Sequence, residues 1–276
     1  SSDVCSSDLL NEVYYVNGKL KKKLNFANGQ YDGLHEEFYE NGILKIRENY
    51  DKGSYNKIGL YEEYFDNGQL MVKVNFKKYF RSGYGMKYDM NGFYISYYEN
   101  GKIAKKCNYL LGTLVGDYEE YNQKGLLEEK ISYNQFGRIN GLRETWFDGQ
   151  IIQRQNFLDG RADGIKEYFE KGICREKSNW KNGNLHGLFE TFDSNGEISE
   201  KGTYNMVNKD GLFVRFYNKV IIESENFKNG IKQGPYVAYY TNGKIRIKSN
   251  YLNGKVNGIH EEYNEEGMLI RRVSNN

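Results

Sequence analysis

The chain has 276 residues, with 39 Lys and Arg against 37 Asp and Glu, a net charge of +2. That balance excludes a bulk electrostatic pull toward nucleic acid or a membrane, and no apolar run is long enough to span a bilayer as a helix. The 26 Tyr, 31 Gly and single Pro (Pro235, tolerated at a strand start) suit short strands and turns and are unusual for an enzyme.

Residues 1–9, SSDVCSSDL, stand outside the pattern that follows. The doubled Ser-Ser-Asp resembles the translation of a sequencing-library adapter, and the segment is expected to be non-native; an unstructured polar N-terminus is the alternative. Counted back from the turn Asn17-Gly18, Leu10, Glu12 and Tyr14 fall in first-strand columns, and Leu9 sits where an opening Gly belongs. On this reading the native N-terminus is missing and the lack of a signal peptide says nothing about secretion. Cytoplasm and cell surface stay open. With Cys5 set aside, Cys107 and Cys174 lie in predicted strands several repeats apart. They are expected to be reduced or buried thiols rather than a disulfide or a metal site.

From Leu10 onward one unit recurs about every 24 residues. Gly33, Gly59, Gly92, Gly116, Gly141, Gly164, Gly187, Gly211, Gly234 and Gly258 open the copies. Five residues on stands an aromatic: Phe38, Tyr64, Tyr97, Tyr121, Trp146, Phe169, Phe192, Phe216, Tyr239 and Tyr263. Two residues past each turn comes an aliphatic, such as Leu44, Leu70 or Ile103, with Cys174 the exception. Six further on is a second aromatic: Tyr50, Phe76, Tyr109, Tyr133, Phe157, Trp180, Tyr204, Phe227 and Tyr251. Alternation at period two around Asn-Gly predicts a β-hairpin per copy. A three-residue loop such as Glu40-Asn41-Gly42 pairs Phe38 with Leu44; the shorter turns Asp148-Gly149 and Lys171-Gly172 take two-residue loops, the first pairing Trp146 with Ile151.

One hairpin cannot bury enough to fold alone, so hairpins must stack edge to edge. The expected fold is all-β: an elongated array of about eleven hairpins in one continuous twisted antiparallel meander sheet, with residues 10–276 as a single repeat domain. Gly is expected in the connections for positive backbone angles, and an opening Gly also to leave room for a neighbouring ring.

The run GLYEEYFDNG at Gly59, followed by L-x-x-x-x-N-[YF]-x-x-G, resembles the MORN repeat family in its bacterial hairpin variant, from Leu10 to the C-terminus. Bacterial proteins of this variant are often grouped with the YwqK-type antitoxin family. The resemblance implies a non-catalytic interaction protein and, more finely, the antitoxin half of a toxin–antitoxin pair.

Four features are candidate sites. A basic column, Lys23, Arg47, Lys73, Lys106, Lys130, Arg154, Lys177, Lys201 and Lys248, falls by strict alternation opposite the aromatic core. It could bind anionic headgroups or an acidic partner. The favoured reading is a solvated, self-neutralised face with Lys73 beside Tyr61, Arg47 beside His35 and Lys130 beside Tyr118. A Glu column (Glu12, Glu36, Glu62, Glu119, Glu144, Glu167, Glu190, Glu261) falls on the aromatic face, its carboxylates expected at the sheet margin or under Tyr hydroxyls. It recurs in eight copies where a catalytic pair would be singular. An Asn column before the second aromatic is read as a ladder of stacked amides or as side-chain bonds to the following loop backbone. Last, the connection between Phe76 and Gly92 lengthens to KKYFRSGYGMKYDMN. Its Lys77, Lys78, Tyr79, Phe80, Arg81, Tyr84, Lys87 and Tyr88 are the candidate partner-binding residues, with a degenerate extra strand pair as the rival reading.

No Walker-type loop or Gly-x-Ser-x-Gly is present, and His35, His186 and His260 are far apart. The expected function is a non-catalytic protein-interaction scaffold without cofactor or metal, monomeric, binding a host or envelope protein or, as the resemblance implies, a toxin. A surface-adhesion or lipid-binding module, with anionic lipid as ligand, is the alternative; nucleic acid is not expected.

Overall fold

The computed structural model describes residues 9–275; the reading of residues 1–8 as non-native, and Cys5 with it, lies outside them. Among the described residues all regular structure is β, in twenty-six strands with antiparallel pairing. Contacts divide the chain into two compact units, residues 1–139 and 140–276. The first holds five hairpins, beginning with Leu9–Tyr14 against Leu20–Ala27, together with one additional ribbon. The second holds six, ending with Gly258–Tyr263 against Leu269–Asn275. Within each unit successive hairpins pair edge to edge, as Leu44–Tyr50 does with Lys57–Tyr64 and Ile173–Lys181 with Asn184–Phe192. Leu9 pairs with Phe26 as Gly33 pairs with Tyr50, which puts it in the opening-Gly place.

The turns form as their spacing predicts. Phe38 pairs with Leu44 around Glu40-Asn41-Gly42, closed by Tyr39 N–H donating to the Ile43 carbonyl at 2.8 Å, with Gly42 at φ 93°. Trp146 pairs with Ile151 around Asp148 and Gly149 at φ 48° and 78°. Just past each turn, however, the second strand bulges. Glu37 faces Ile46 rather than Lys45, so Lys45 is the extra residue. The third hairpin bulges at Met71 and the sixth at Ile152, and a register shift sits at the same place in all eleven.

One extra residue moves every later side chain of that strand to the other face. The two aromatic columns therefore lie on opposite faces, which corrects the single aromatic face expected from uninterrupted alternation. The Tyr64 hydroxyl reaches Glu62 on one face, while Phe76 packs against Tyr61 on the other, ring centroids 6.2 Å apart.

The face of the second column, here the ring face, carries most of the buried core. Tyr94 meets Tyr109 edge-on at 6.0 Å, Tyr118 meets Tyr133 at 6.3 Å, and Phe189, Tyr204, Phe213 and Phe227 continue at 5.3 to 5.5 Å. Beside them Val74, Cys107, Ile131 and Ser178 are buried, Cys107 and Phe213 to 1% exposure. Burial pushes the Cys107 thiol up, and both Cys107 and Cys174 are free thiols.

No ring occupies the space at the opening glycines described: at Gly164, Gly187 and Gly234 the nearest side chain is from the Asn column, and at Gly33, Gly59, Gly92, Gly116 and Gly258 the space is open. Gly164 sits at φ 104°, and a Cβ there would meet Asn156 Cβ at 3.0 Å. Asn156 donates to the Ile165 carbonyl at 3.5 Å, Asn226 to the Pro235 carbonyl at 3.1 Å, and Asn25 to the Leu34 carbonyl, so the acceptors lie in the next strand just after its opening Gly rather than in the connecting loop.

Candidate interaction surfaces

The bulge brings the basic and Glu columns together on the face opposite the rings. Arg47 stands opposite Glu36, Lys73 opposite Glu62 and Lys130 opposite Glu119, not His35, Tyr61 and Tyr118 as strict alternation placed them. In the first unit the file runs Lys23, Glu36, Arg47, Glu62, Lys73, then Lys106, Glu119, Lys130 after a break at Ile95. In the second it runs Glu144, Arg154, Glu167, Lys177, Glu190, Lys201, breaks at Val214, Ser224 and Val237, and resumes at Lys248 and Glu261.

Ion pairs follow the file: Arg47–Glu36 at 3.0 Å, Lys73–Glu62 at 2.9 Å, Lys106–Glu119 at 2.7 Å and Arg154–Glu144 at 2.9 Å. The neighbouring first-column ring completes the arrangement. Tyr64 donates to Glu62 and Tyr121 to Glu119, while Lys106 lies 5.7 Å from the Tyr121 ring centre and Lys201 5.6 Å from that of Phe216. Burial would raise the Glu62 carboxyl, but hydrogen bonds from Lys73 and Tyr64 and the charges of Lys73 and Arg47 outweigh it and hold it below the ordinary value. Glu119 is held low in the same way by Lys106, Tyr121 and Lys130. The column is thus part of a self-neutralised ladder, with pairs of this exposure contributing about 0.2–1 kcal/mol each.

Beside the ladder runs a strip of exposed apolar side chains directly after the opening Gly, broken in the first unit, where Leu60 is half-buried and Asp117 follows Gly116. In the second unit these are Leu142, Ile165, Leu188, Leu212 and Ile259, from 39% exposed at Leu142 to 51% at Leu212, with Pro235 in the same column. Leu34 and Phe93 occupy it in the first. Successive members lie about 9–10 Å apart, two strand spacings.

Two further sets of contacts escaped the sequence reading. Along the turns, hairpins are tied to their successors: Tyr15 donates to the Phe38 carbonyl, Tyr39 to Tyr64 and Tyr98 to Tyr121, at 2.7 to 2.8 Å, and Asn41 reaches the Asp66 carbonyl at 2.8 Å. Their signal was the recurrence of Tyr and Asn at each turn. On the ring face, Lys57, Lys209 and Lys232 stand two residues before an opening Gly, 4.2 to 5.3 Å from the ring centres of Tyr61, Phe213 and Tyr236. They pair with Glu48, Glu200 and Glu225 at 2.7, 3.0 and 2.7 Å.

The lengthened connection is not a loop but an extra strand pair. Leu70–Arg81 continues past Phe76 and Gly85–Met90 returns alongside it, from Phe76 opposite Met90 to Arg81 opposite Gly85. Its candidate residues divide. Near the base, Lys78 pairs with Asp51 at 2.5 Å, Tyr88 donates to the same carboxylate at 2.7 Å, and Tyr79 donates to Asp89 at 2.7 Å; Lys77 stands opposite Asp89. Hydrogen bonds from Lys78 and Tyr88 hold the Asp51 carboxyl below its usual range. At the apex Phe80, Tyr84 and Met86 are exposed, with Arg81 and Lys87 at 5.0 and 5.7 Å from the Tyr84 ring centre. Among the described residues no group of three His, Cys, Asp or Glu could hold a metal ion.

Residues 8–28, 31–52, 57–78, 90–110, 185–206 and 232–253 match the family model described as the MORN repeat variant, together just under half of the chain. These six stretches are similar to MORN repeats. Each matched stretch covers most of one hairpin and its connection; the 76–90 ribbon falls largely between two of them. No curated protein matches the chain. Among solved structures, a crystal structure of TcdB2-TccC3-TEV aligns over 97% of this chain and 16% of that one, at 12% identity and a TM-score of 0.21. The Photorhabdus luminescens Tc holotoxin pore with a mutation in TccC3 aligns over 97% and 15%, at 12% identity and 0.21. The chain spans about one sixth of the length of those chains.

Proposed function

We propose that the MORN repeats form a non-catalytic scaffold that binds another protein through the ladder face. The observation that carries this reading is the apolar strip of Leu142, Ile165, Leu188, Leu212 and Ile259. Packing within a hairpin does not require these side chains to be exposed, yet each hairpin of the second unit carries an apolar one at the same place. A partner lying across the strands would cover the strip and be aligned by the charge ladder beside it. The ladder carboxylates argue against catalysis in the same terms. They recur copy after copy, and Glu62 and Glu119 are held ionised by fixed cations rather than poised to exchange a proton.

The YwqK-type resemblance narrows the partner to a toxin, with this monomeric chain as the antitoxin. The test is co-expression with a toxin-like protein encoded beside it. The chain should relieve the growth arrest and co-elute with the toxin. The triple change Ile165→Asp, Leu188→Asp, Leu212→Asp should keep the β circular dichroism signal and lose both. Full relief by the triple variant would remove the strip as the binding surface; no relief by the unaltered chain would remove the antitoxin role.

A further inference from the structure

The 76–90 ribbon departs from the repeat in three ways that point the same way. The first is reach. Elsewhere in its unit the equivalent connection turns one residue after the second aromatic, as at Tyr109 and Leu110; here the pairing runs five residues past Phe76. At about 3.3 Å per residue, the apex stands about 13 Å further out. Its base is fixed to the preceding connection through Asp51, which binds both Lys78 and Tyr88.

The second is the placing of apolar surface. Phe80 is 70% exposed, Tyr84 68% and Met86 48%, with Phe80 directly opposite Met86. All three lie within the last turn of the ribbon, where they cover none of the array. The third is chemistry. Residues 77–88 contain four cations and no Asp, Glu, Asn or Gln. The two carboxylates at the base, Asp51 and Asp89, are engaged by Lys78, Tyr88 and Tyr79, leaving Arg81 and Lys87 at the apex beside Tyr84. A protein interface of ordinary composition presents acceptors as well as donors. The side chains of this apex offer cations, hydroxyls and apolar surface and lack carboxylate and amide acceptors. That suits a surface with anionic oxygens above hydrocarbon.

We propose that the ribbon apex is a membrane-anchoring element: Phe80, Tyr84 and Met86 enter the headgroup and upper acyl region of an anionic bilayer while Arg81 and Lys87 pair with lipid phosphates. Rings with polar edges belong at that depth, and cations of this kind snorkel to it. Three side chains give a reversible attachment that depends on both burial and charge. The inference stands on the ribbon alone and is separate from protein binding on the ladder face.

The experiment is partition of the full chain onto vesicles of phosphatidylcholine alone and of phosphatidylcholine mixed with phosphatidylglycerol. The expected result is binding to the anionic vesicles only, weakening as salt is raised. Arg81→Gln with Lys87→Gln should lower partition roughly thirtyfold, about fivefold per cation. Phe80→Ser with Tyr84→Ser should abolish it with the circular dichroism melt unchanged. Lys177→Gln with Lys201→Gln, on the ladder face, should leave it intact. Should Phe80→Ser with Tyr84→Ser not fold, the charge variant alone decides. No partition by the unaltered chain, equal partition by the apex variants, or loss on changing Lys177 and Lys201 instead would overturn the proposal. So would an apex that binds an acidic protein and leaves anionic vesicles untouched.

Discussion

Gly202 shows at one residue how the array accommodates its rings. It stands in the column of Val74, Cys107, Ile131 and Ser178, and a Cβ on it would lie 2.4 Å from Phe213 Cδ1. Its backbone is not in the left-handed region, so the requirement is space alone. Gly202→Ala should therefore cost about 1–3 kcal/mol in a denaturant melt. Adding Phe213→Leu should recover part of the loss relative to Phe213→Leu alone, and additive losses would show that the ring is not what the glycine admits. The sequence reading expected room for a ring at the opening glycines and passed over this one. Gly164 and its counterparts announce themselves by their period, whereas Gly202 matters only because Phe213 of the next hairpin lies over it.

At the scale of the element, the bulge decides which residues meet. The turns were legible because Asn-Gly and Asp-Gly dictate their backbone angles. The bulge was not, because the residues that occupy it, Lys45, Met71, Ala104, Ile152 and Arg175 among them, share no chemistry. Their common property is a place in the ladder. Missing it kept the composition of every column correct but set the basic and Glu columns on opposite faces, where the structure has them on one. The consequence is measurable at one pair. A double-mutant cycle of Lys73→Ala with Glu62→Ala should return a coupling of about 0.2–1 kcal/mol, and Lys73→Ala with Tyr61→Phe should return none. Coupling to Tyr61 instead of Glu62 would restore the unbulged register. The ribbon was half legible: its cations and rings were conspicuous, and the connection folds as the strand pair of the rival reading rather than as a loop. That Lys78 and Tyr88 would be spent on Asp51, more than twenty residues earlier, could not be read from local order.

For the molecule as a whole, the account rests on repetition of register: each hairpin is stable because its neighbours continue its ladder, its ring contacts and, at the turns, its Tyr and Asn bonds. Such an array should tolerate the loss of a complete unit better than the loss of one residue. Removing residues 164–186 joins Asp163 to Gly187, so one opening Gly replaces another and every column stays in step. Removing Lys166 alone, which pairs with Gln155 on one side and Ser178 on the other, sets the two halves of its strand on conflicting faces. The deciding measurement is the thermal transition of the two deletions, followed by β circular dichroism. The whole-repeat deletion should melt cooperatively near the intact chain, and the Lys166 deletion should melt clearly lower. Equal transitions, or a lower one for the whole-repeat deletion, would contradict the claim that hairpin register specifies the fold.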